Sequence, residues 1–498
     1  MKDIADKGFR LGVVGAGAMG AGIAQVAAQN GIALSLYDAR DGGATQAKAG
    51  IAKRLDRLVE KGKIDAAARE AAEDRIEVAE RLDALAPCSV VIEAIVEDLD
   101  AKAGLFAELE RYVAKDAILA TNTSSLPVGA IAARLEHKAR VAGLHFFNPV
   151  PLMRLVEVIP GPDTSDDVLS LLTGLARRMG REPVQVTDTP GFLVNFGGRA
   201  YSTEALAILQ ERVARPEQID AVMRDCFGFR MGPFELLDLT GMDVNFPVTE
   251  FVHRSMFGDP RLRSTARHKY MLDTGQLGRK TGRGFYAHHG QTEPAAPGAA
   301  RAVPPAARVV VPDGTPMPAD LVHACGGRVL AEDDGASPVL VTLTGEDCAA
   351  HAARTGRDFR RLVALDPLGD TSTRVTLMSP PCARQDIVDG VAALLSSERA
   401  VTVISDSPGF IGQRIAAMVC NLGCEMAQMG LAEPEAIDTA MRLGLNYPQG
   451  PLEMTDTLGV ETVFAVMSQL QTLTGDDRYR PSQWLRRRAQ LGLRARAA

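Results

Sequence analysis

The stretch Arg10–Asp38 reads RLGVVGAGAMGAGIAQVAAQNGIALSLYD, and the order of its patterns decides the fold. A short apolar run, Arg10–Val14, ends in the glycine turn Gly15–Gly20 (GAGAMG). A helical pattern follows, and the alternating run Ala33–Asp38 closes on an acid. Strand, glycine turn, helix, strand and acid in this order open a doubly wound α/β domain. A bare GxGxxG is weak, because a chain with 47 glycines produces it by chance. Here each residue has a mechanical task. Gly15 permits the tight turn, Gly17 lets the backbone approach a pyrophosphate, and Gly20 allows close packing of helix on strand. The helix N-terminus offers free N–H groups and the positive end of its dipole to phosphates. Asp38 is placed to accept from the adenosine ribose hydroxyls and to repel a 2′-phosphate, which favours NAD over NADP. Arg40 beside it softens that preference. The bland alternative is a glycine turn with no ligand.

Outward from this unit, Gln46 to about Leu82 reads as charged helical sequence, with Lys48, Lys53, Arg54, Arg57, Lys61 and Lys63 in its first part. It is either a solvated face or a clamp for a phosphorylated carrier. A buried-type strand, Val90–Ile95, then has Glu97 at its exit and Lys102 on the next helix. The strand Ile118–Thr121 ends in the hydroxyl- and amide-rich loop Asn122–Ser125. Gly143–Ile159 (GLHFFNPVPLMRLVEVI) sets His145 among apolar residues, turns at Pro149 and Pro151, and returns with Glu157. The bland reading is a satisfied core histidine and an edge-strand acid. After a helix over Asp166–Met179, the strand PVQVTD and the loop DTPGFLVN (Asp188–Asn195), the periodicity is helical to about Ala287. The Gly/Pro/Ala-rich stretch His288–Arg308 reads as a linker.

A repeat lies behind that linker. DTPGF at Asp188 recurs as DSPGF at Asp406, and one offset aligns Gly232-Pro233, Glu235, Asp238 and Gly241 with Gly450-Pro451, Glu453, Asp456 and Gly459. The expected domains are therefore 1–188 (α/β, NAD-binding), 189–287 (helical), the linker 288–308, 309–405 (a degenerate α/β domain holding PDGTPMP where a glycine loop belongs), and 406–498 (a second helical domain repeating 188–280). The same offset carries Asn148 to Asp366, His145 to Val363, Glu157 to Val375 and Asn195 to Gln413. The expectation is that the second half keeps architecture and loses reactive groups.

Oxidising a secondary alcohol needs a hydride acceptor and a base. A neutral histidine suits the second task, and a carboxylate beside it offsets the cost of forming imidazolium in an apolar pocket. The proline turn lets Arg154–Ile159 run back beside the strand of His145, so Glu157 becomes its orienter, as in the His–Asp half of a triad. Ser124 and Asn195 then hold the substrate oxygen.

GAGAMG, IVEDLDAK, TNTSSL, GLHFFNPVPLMRLVEV, DTPGFLVN, MGPFELLDLTG and LGRKTGRGFY together resemble the L-3-hydroxyacyl-CoA dehydrogenase family over about residues 9–287. The resemblance implies His145 as catalytic base, Glu157 as its partner, and Ser124 and Asn195 as substrate contacts. It implies that Asp38, Glu97, Lys102 and Asn122 line the NAD site, and that Arg54 and Lys61 contact coenzyme A. The tandem arrangement resembles the long bacterial form linked to phenylacetate degradation, similar to 3-hydroxyadipyl-CoA or 3-hydroxybutyryl-CoA dehydrogenases. It implies an acyl-CoA substrate and a pseudo-dimer of helical domains within one chain, with further homo-oligomers open. One departure is Asn195-Phe196-Gly197-Gly198, where the family commonly has Arg after Asn. Other β-hydroxyacid dehydrogenases share the glycine loop but rely on a lysine, and crystallin-like relatives bind NAD without catalysis.

Composition narrows the rest. The chain has 498 residues, net charge −7, 46% hydrophobic and 23% charged residues. No basic field exists for nucleic acid or anionic membrane, and no run of about twenty apolar residues spans a bilayer. Seven cysteines without a CxxC pair suggest reduced, buried thiols, no metal centre and a cytoplasmic location.

Overall fold

The apolar runs before each turn become strands. β1 (Leu11–Val14), β2 (Leu34–Tyr37), β3 (Ile76–Ala79), β4 (Val90–Glu93), β5 (Ile118–Thr121), β6 (Val141–Phe146), β7 (Leu155–Pro160) and β8 (Glu182–Gln185) form one sheet. Its order is β3-β2-β1-β4-β5-β6-β7-β8, parallel throughout except at β6–β7. β1, β4, β5 and β6 are buried along their whole length, as helices on both faces of a parallel sheet require. Leu11, Val13, Ile92 and Leu144 have no exposed surface, and burying each contributes about 1.5–3 kcal/mol.

This computed structural model describes residues 4, 6, 8–288, 304–330 and 332–497, so most of the expected linker lies outside the described residues. The chain divides into two units, Met1–Phe196 with Gly430–Leu445, and Gly197–Met429 with Asn446–Ala498. In the first unit, the helix Pro434–Leu445 packs on β7 and β8. Thr187 N donates to Leu431 O at 2.9 Å. Gly444 packs closely there, since a Cβ would come 3.0 Å from Leu155 Cδ2 and that side chain would have to give way.

The expected charged helical run over Gln46–Leu82 is broken in the structure. Helices cover Gly43–Glu60 and Ala66–Asp74, and β3 follows. Gly62, at φ 63°, turns the chain after the first helix, and the Asp65 side chain caps the second by accepting from Ala68 N. Ile76 and Ala79 are buried against the sheet, where pairing with β2 outweighs the surrounding helical pattern. The strand expected over Val90–Ile95 stops at Glu93, whose carboxylate accepts from Ile95 N and turns the chain.

In the second unit, β9 (Val309–Val310), β10 (Val329–Leu330), β11 (Val339–Thr342), β12 (Leu362–Leu365), β13 (Arg374–Ser379) and β14 (Ala400–Ser405) make a smaller sheet. Its order is β10-β9-β11-β12-β13-β14, again with one antiparallel pair, β12–β13. The helix Pro216–Phe227 packs on β13, Asp225 pairs with Arg374 at 2.8 Å, and Ser405 N donates to Val213 O at 3.0 Å. The helices Arg199–Gln210 and Ile411–Gln428 pack along each other. Between them Glu204, with no exposed surface, takes Arg414 at 2.8 Å and Arg478 at 2.7 Å, and accepts from Tyr479 Oη at 3.0 Å. Burial alone would push the Glu204 carboxyl up, but the two guanidinium groups hold it below its usual value.

Strand register corrects the expected match of His145 and Glu157 to Val363 and Val375. His145 lies directly opposite Glu157. In the second sheet, Ala364 pairs with Met378 and Leu365 with Leu377, and Asp366 N donates to Thr376 O. Val375 is therefore not opposite Val363. The two antiparallel pairs therefore differ in register, which one ungapped offset cannot represent. The facing polar pair of the second sheet is Asp366 and Thr376.

Candidate active site

The glycine loop forms as its sequence requires. Gly15 holds φ +94°, and a Cβ there would lie 2.5 Å from Ala94 O. A Cβ on Gly20 would lie 1.7 Å from Gly15 O, so the third glycine's closest contact is the turn's own carbonyl. A Cβ on Gly17 meets nothing within 4 Å, which leaves the approach to the N-terminus of the helix Ala18–Gln29 open. That combination of tight turn and open helix end fits a dinucleotide pyrophosphate. Asp38 ends β2 with its Oδ2 accepting from Ala16 N at 2.7 Å and its Oδ1 from Arg40 N at 2.9 Å. Burial opposes ionisation of Asp38, yet the Arg40 side chain and these N–H groups hold its carboxyl below its usual value.

At the ends of β4 and β5 a second cluster forms. Lys102 Nζ sits 2.7 Å from Glu93 Oε1 and 3.3 Å from Glu97 Oε2. Glu97 Oε1 accepts from Thr123 Oγ1 at 2.6 Å, Ser124 N at 2.9 Å and Ser125 N at 3.1 Å, which shapes the hydroxyl-rich loop. Burial raises the Glu97 carboxyl, but the Thr123 bond and the Lys102 charge outweigh it and bring it below its usual value. Asn122 Oδ1 accepts from Phe146 N at 2.8 Å, fixing the residue next to His145. Asn195 Nδ2 donates to Ser124 O at 3.4 Å, which brings these two expected substrate contacts together.

His145 and Glu157 face each other across β6–β7, with Nδ1 and Oε2 2.7 Å apart and the acid fully buried. The imidazole packs against Phe147 and Phe192, at 4.5 and 5.8 Å between ring centroids. Glu157 has a second anchor that sequence reasoning missed. Its Oε1 accepts from Leu193 N at 3.1 Å and Val194 N at 3.0 Å. The PGF turn makes this possible, because Gly191 and Phe192 both hold positive φ, 77° and 48°. Two successive N–H groups are thereby aimed at one oxygen. The PGF motif is the available signal, since the sequence marks it as a repeat and as part of the family resemblance but not as an anchor for Glu157.

Two descriptions match this chain: "3-hydroxyacyl-CoA dehydrogenase, NAD binding domain" over residues 10–189, and "3-hydroxyacyl-CoA dehydrogenase, C-terminal domain" over 191–288 and 409–498. The chain belongs to the 3-hydroxyacyl-CoA dehydrogenase family. It is similar to the 3-hydroxyadipyl-CoA dehydrogenase of Escherichia coli K12, at 37% identity over 97% of both chains. A crystal structure of a 3-hydroxybutyryl-CoA dehydrogenase from Escherichia coli K12 superposes with a TM-score of 0.86, at 37% identity, over 97% of this chain and 98% of that one. A probable 3-hydroxybutyryl-CoA dehydrogenase of Deinococcus radiodurans is 41% identical over 280 residues, 56% of this chain and 100% of its own.

This dehydrogenase is an NAD-dependent oxidoreductase acting on a CH–OH group. The residues expected at coenzyme A lie apart from the clusters above. Arg54, on the helix Gly43–Glu60, donates through Nε to Gln25 Oε1 at 2.6 Å, and Lys61 is exposed at that helix's C-cap. The Gly197–Gly198 departure falls where the helix Val194–Gly197 gives way to Arg199–Gln210. Among the described residues no helix is long and apolar enough to cross a membrane, and no group of three or more His, Cys, Asp or Glu side chains is placed to hold a metal ion.

Proposed function

We propose that His145 Nε2 takes the hydroxyl proton of an (S)-3-hydroxyacyl-CoA while Glu157 holds the imidazole in the required tautomer. The observation that carries this reading is the 2.7 Å Nδ1–Oε2 contact to an acid whose other oxygen is fixed by two backbone N–H groups. With Nδ1–H given to Glu157, the Nε2 lone pair is left to accept the proton, and the carboxylate stabilises the imidazolium that forms. Bound NAD would supply the hydride acceptor for the carbon that bears this hydroxyl. Gly15, Gly17 and Gly20 cradle its pyrophosphate, Asp38 takes its ribose hydroxyls, and Glu97, Lys102 and Asn122 line its far end. Ser124 and Asn195 position the substrate oxygen, and Arg54 and Lys61 supply cations for the phosphates of coenzyme A. The descriptions of the Escherichia coli relatives support 3-hydroxyadipyl-CoA or 3-hydroxybutyryl-CoA as substrate. NADH oxidation with acetoacetyl-CoA and with 3-oxoadipyl-CoA distinguishes them. Failure with every 3-oxoacyl-CoA overturns the reading.

The domain division 1–188, 189–287, 288–308, 309–405 and 406–498 is proposed with it, the last two as copies of the first two. Support comes from the paired contacts Thr187–Leu431 and Ser405–Val213, which repeat at one offset, and from the helical-domain description matching two stretches. On this reading the helical domains form a pseudo-dimer inside one chain, joined through Glu204, Arg414 and Arg478. The second α/β domain carries no coenzyme, so titration should give one NADH per chain. Truncation after Ala287 removes 430–445 and bares apolar surface, which drives association. A stable, fully active truncated monomer sinks the pseudo-dimer. Among the described residues the cysteines form no disulfide, which fits a reducing cytoplasm.

A further inference from the structure

Glu93 has no exposed surface and lies at the centre of the cluster at the ends of β4 and β5. Its Oε1 accepts from Ile95 N and faces Lys102 Nζ, both at 2.7 Å, and its Oε2 accepts from Thr121 Oγ1 at 2.8 Å. Lys102 is 1% exposed, so this is a dry ion pair. Such pairs are seldom kept for stability, because well-packed apolar residues of the same volume do as well or better. A functional reason is therefore indicated.

The charge count supplies one. Lys102 stands between two acids, Glu93 and Glu97, and Glu97 alone of the three is partly exposed, at 37%. With Glu93 balancing Lys102, the cluster carries one net negative charge, and that charge resides on Glu97. On the NAD-site reading above, Asp38 after β2 would hold the adenosine end of the coenzyme. The sheet order β2-β1-β4-β5 would then carry its nicotinamide end toward β4 and β5, where Glu97 lies. The nicotinamide ring is cationic when oxidised and neutral when reduced.

We propose that Glu93 is a positioning residue that cancels the charge of Lys102, leaving Glu97 as an uncompensated carboxylate that favours oxidised over reduced coenzyme. The proposal rests on the NAD-site reading above and extends it to the redox state preferred. In Glu93→Gln the amide keeps the shape while the cluster becomes neutral. A unit charge at this range shifts affinity by about tenfold. Equilibrium titration of the full chain should therefore show NAD+ binding weakened by about tenfold and NADH binding changed less than twofold. Glu97→Gln removes the same uncompensated charge at the exposed group and should move the ratio of the two affinities the same way as Glu93→Gln. It keeps the test decisive if Glu93→Gln does not fold. Equal weakening of both coenzymes, an unchanged ratio, or shifts of opposite sign in the two variants overturns the proposal. A wild-type chain that binds neither coenzyme overturns the underlying NAD reading instead.

Discussion

Two sheet edges in this chain carry the same geometry with different chemistry. In each, one antiparallel pair interrupts the parallel strands, and an Asp before a Pro-Gly-Phe turn holds two backbone N–H groups. Asp188 accepts from Val128 N and Gly129 N, and Asp406 from Cys348 N and Ala349 N. Asn195 donates to Ser124 O, and Gln413 Nε2 donates to Leu343 O. The difference lies in what the polar groups face. His145 has a dedicated acid, itself fixed by the backbone. In the second edge Gln413 reaches the carboxylate of Asp366 at 2.8 Å and takes Gly345 N, so the polar groups bond one another inside a dry core.

The first way to break this comparison is to remove the base. His145→Gln should lower kcat by on the order of 10²–10⁴ with NADH binding intact, and a folded variant with wild-type turnover ends the mechanism. Glu204→Gln tests the helical pairing instead. It leaves Arg414 and Arg478 buried without their acid and should cost about 3–5 kcal/mol in urea unfolding; a change below about 1 kcal/mol refutes the node's importance.

A third experiment sharpens the contrast through pH. Burial lifts the Asp366 carboxyl to about 7, against which its bonds from Gln413 and Leu368 work only in part. The folded state then binds a proton that the unfolded chain has released, so stability falls as pH rises from about 4 to 7 and levels off above. Asp366→Asn should remove about 2 kcal/mol of the loss between pH 5 and 7, read from denaturation midpoints at the two pH values. An identical slope in the variant assigns the loss elsewhere; Asp220, lifted to about 7 mainly by burial, is the next candidate. The smallest effect concerns the coenzyme: Asp38→Ala should narrow discrimination against NADP by about 1 kcal/mol, and a wild type that already prefers NADP shows that Arg40 prevails.

Much of the first edge was legible because its signals are local. The glycine loop, the run of β-strands and the His145–Glu157 facing pair all follow from spacing, turn residues and a two-residue strand period. What escaped was non-local or hidden by composition. β3 sits inside a charged stretch whose surroundings read as helix. Glu204 meets partners more than 200 residues away, and nothing near it in sequence announces them. Glu93 reads as one polar residue inside an apolar strand, and its ion pair depends on Lys102 folding back. The second edge was misread because register, unlike composition, does not tolerate an ungapped alignment.

The helix Pro434–Leu445, packed on β7 and β8, also sets a clock. β8 ends at Gln185, and the residues that cover it leave the ribosome only about 260 residues later, at least ten seconds and up to nearly a minute at ordinary rates of synthesis. Throughout that interval the first sheet is made but lacks the helix that covers β7 and β8, a state open to misassembly between neighbouring nascent chains. A polysome translating this protein is therefore where its assembly is most exposed to error, well before any substrate is met.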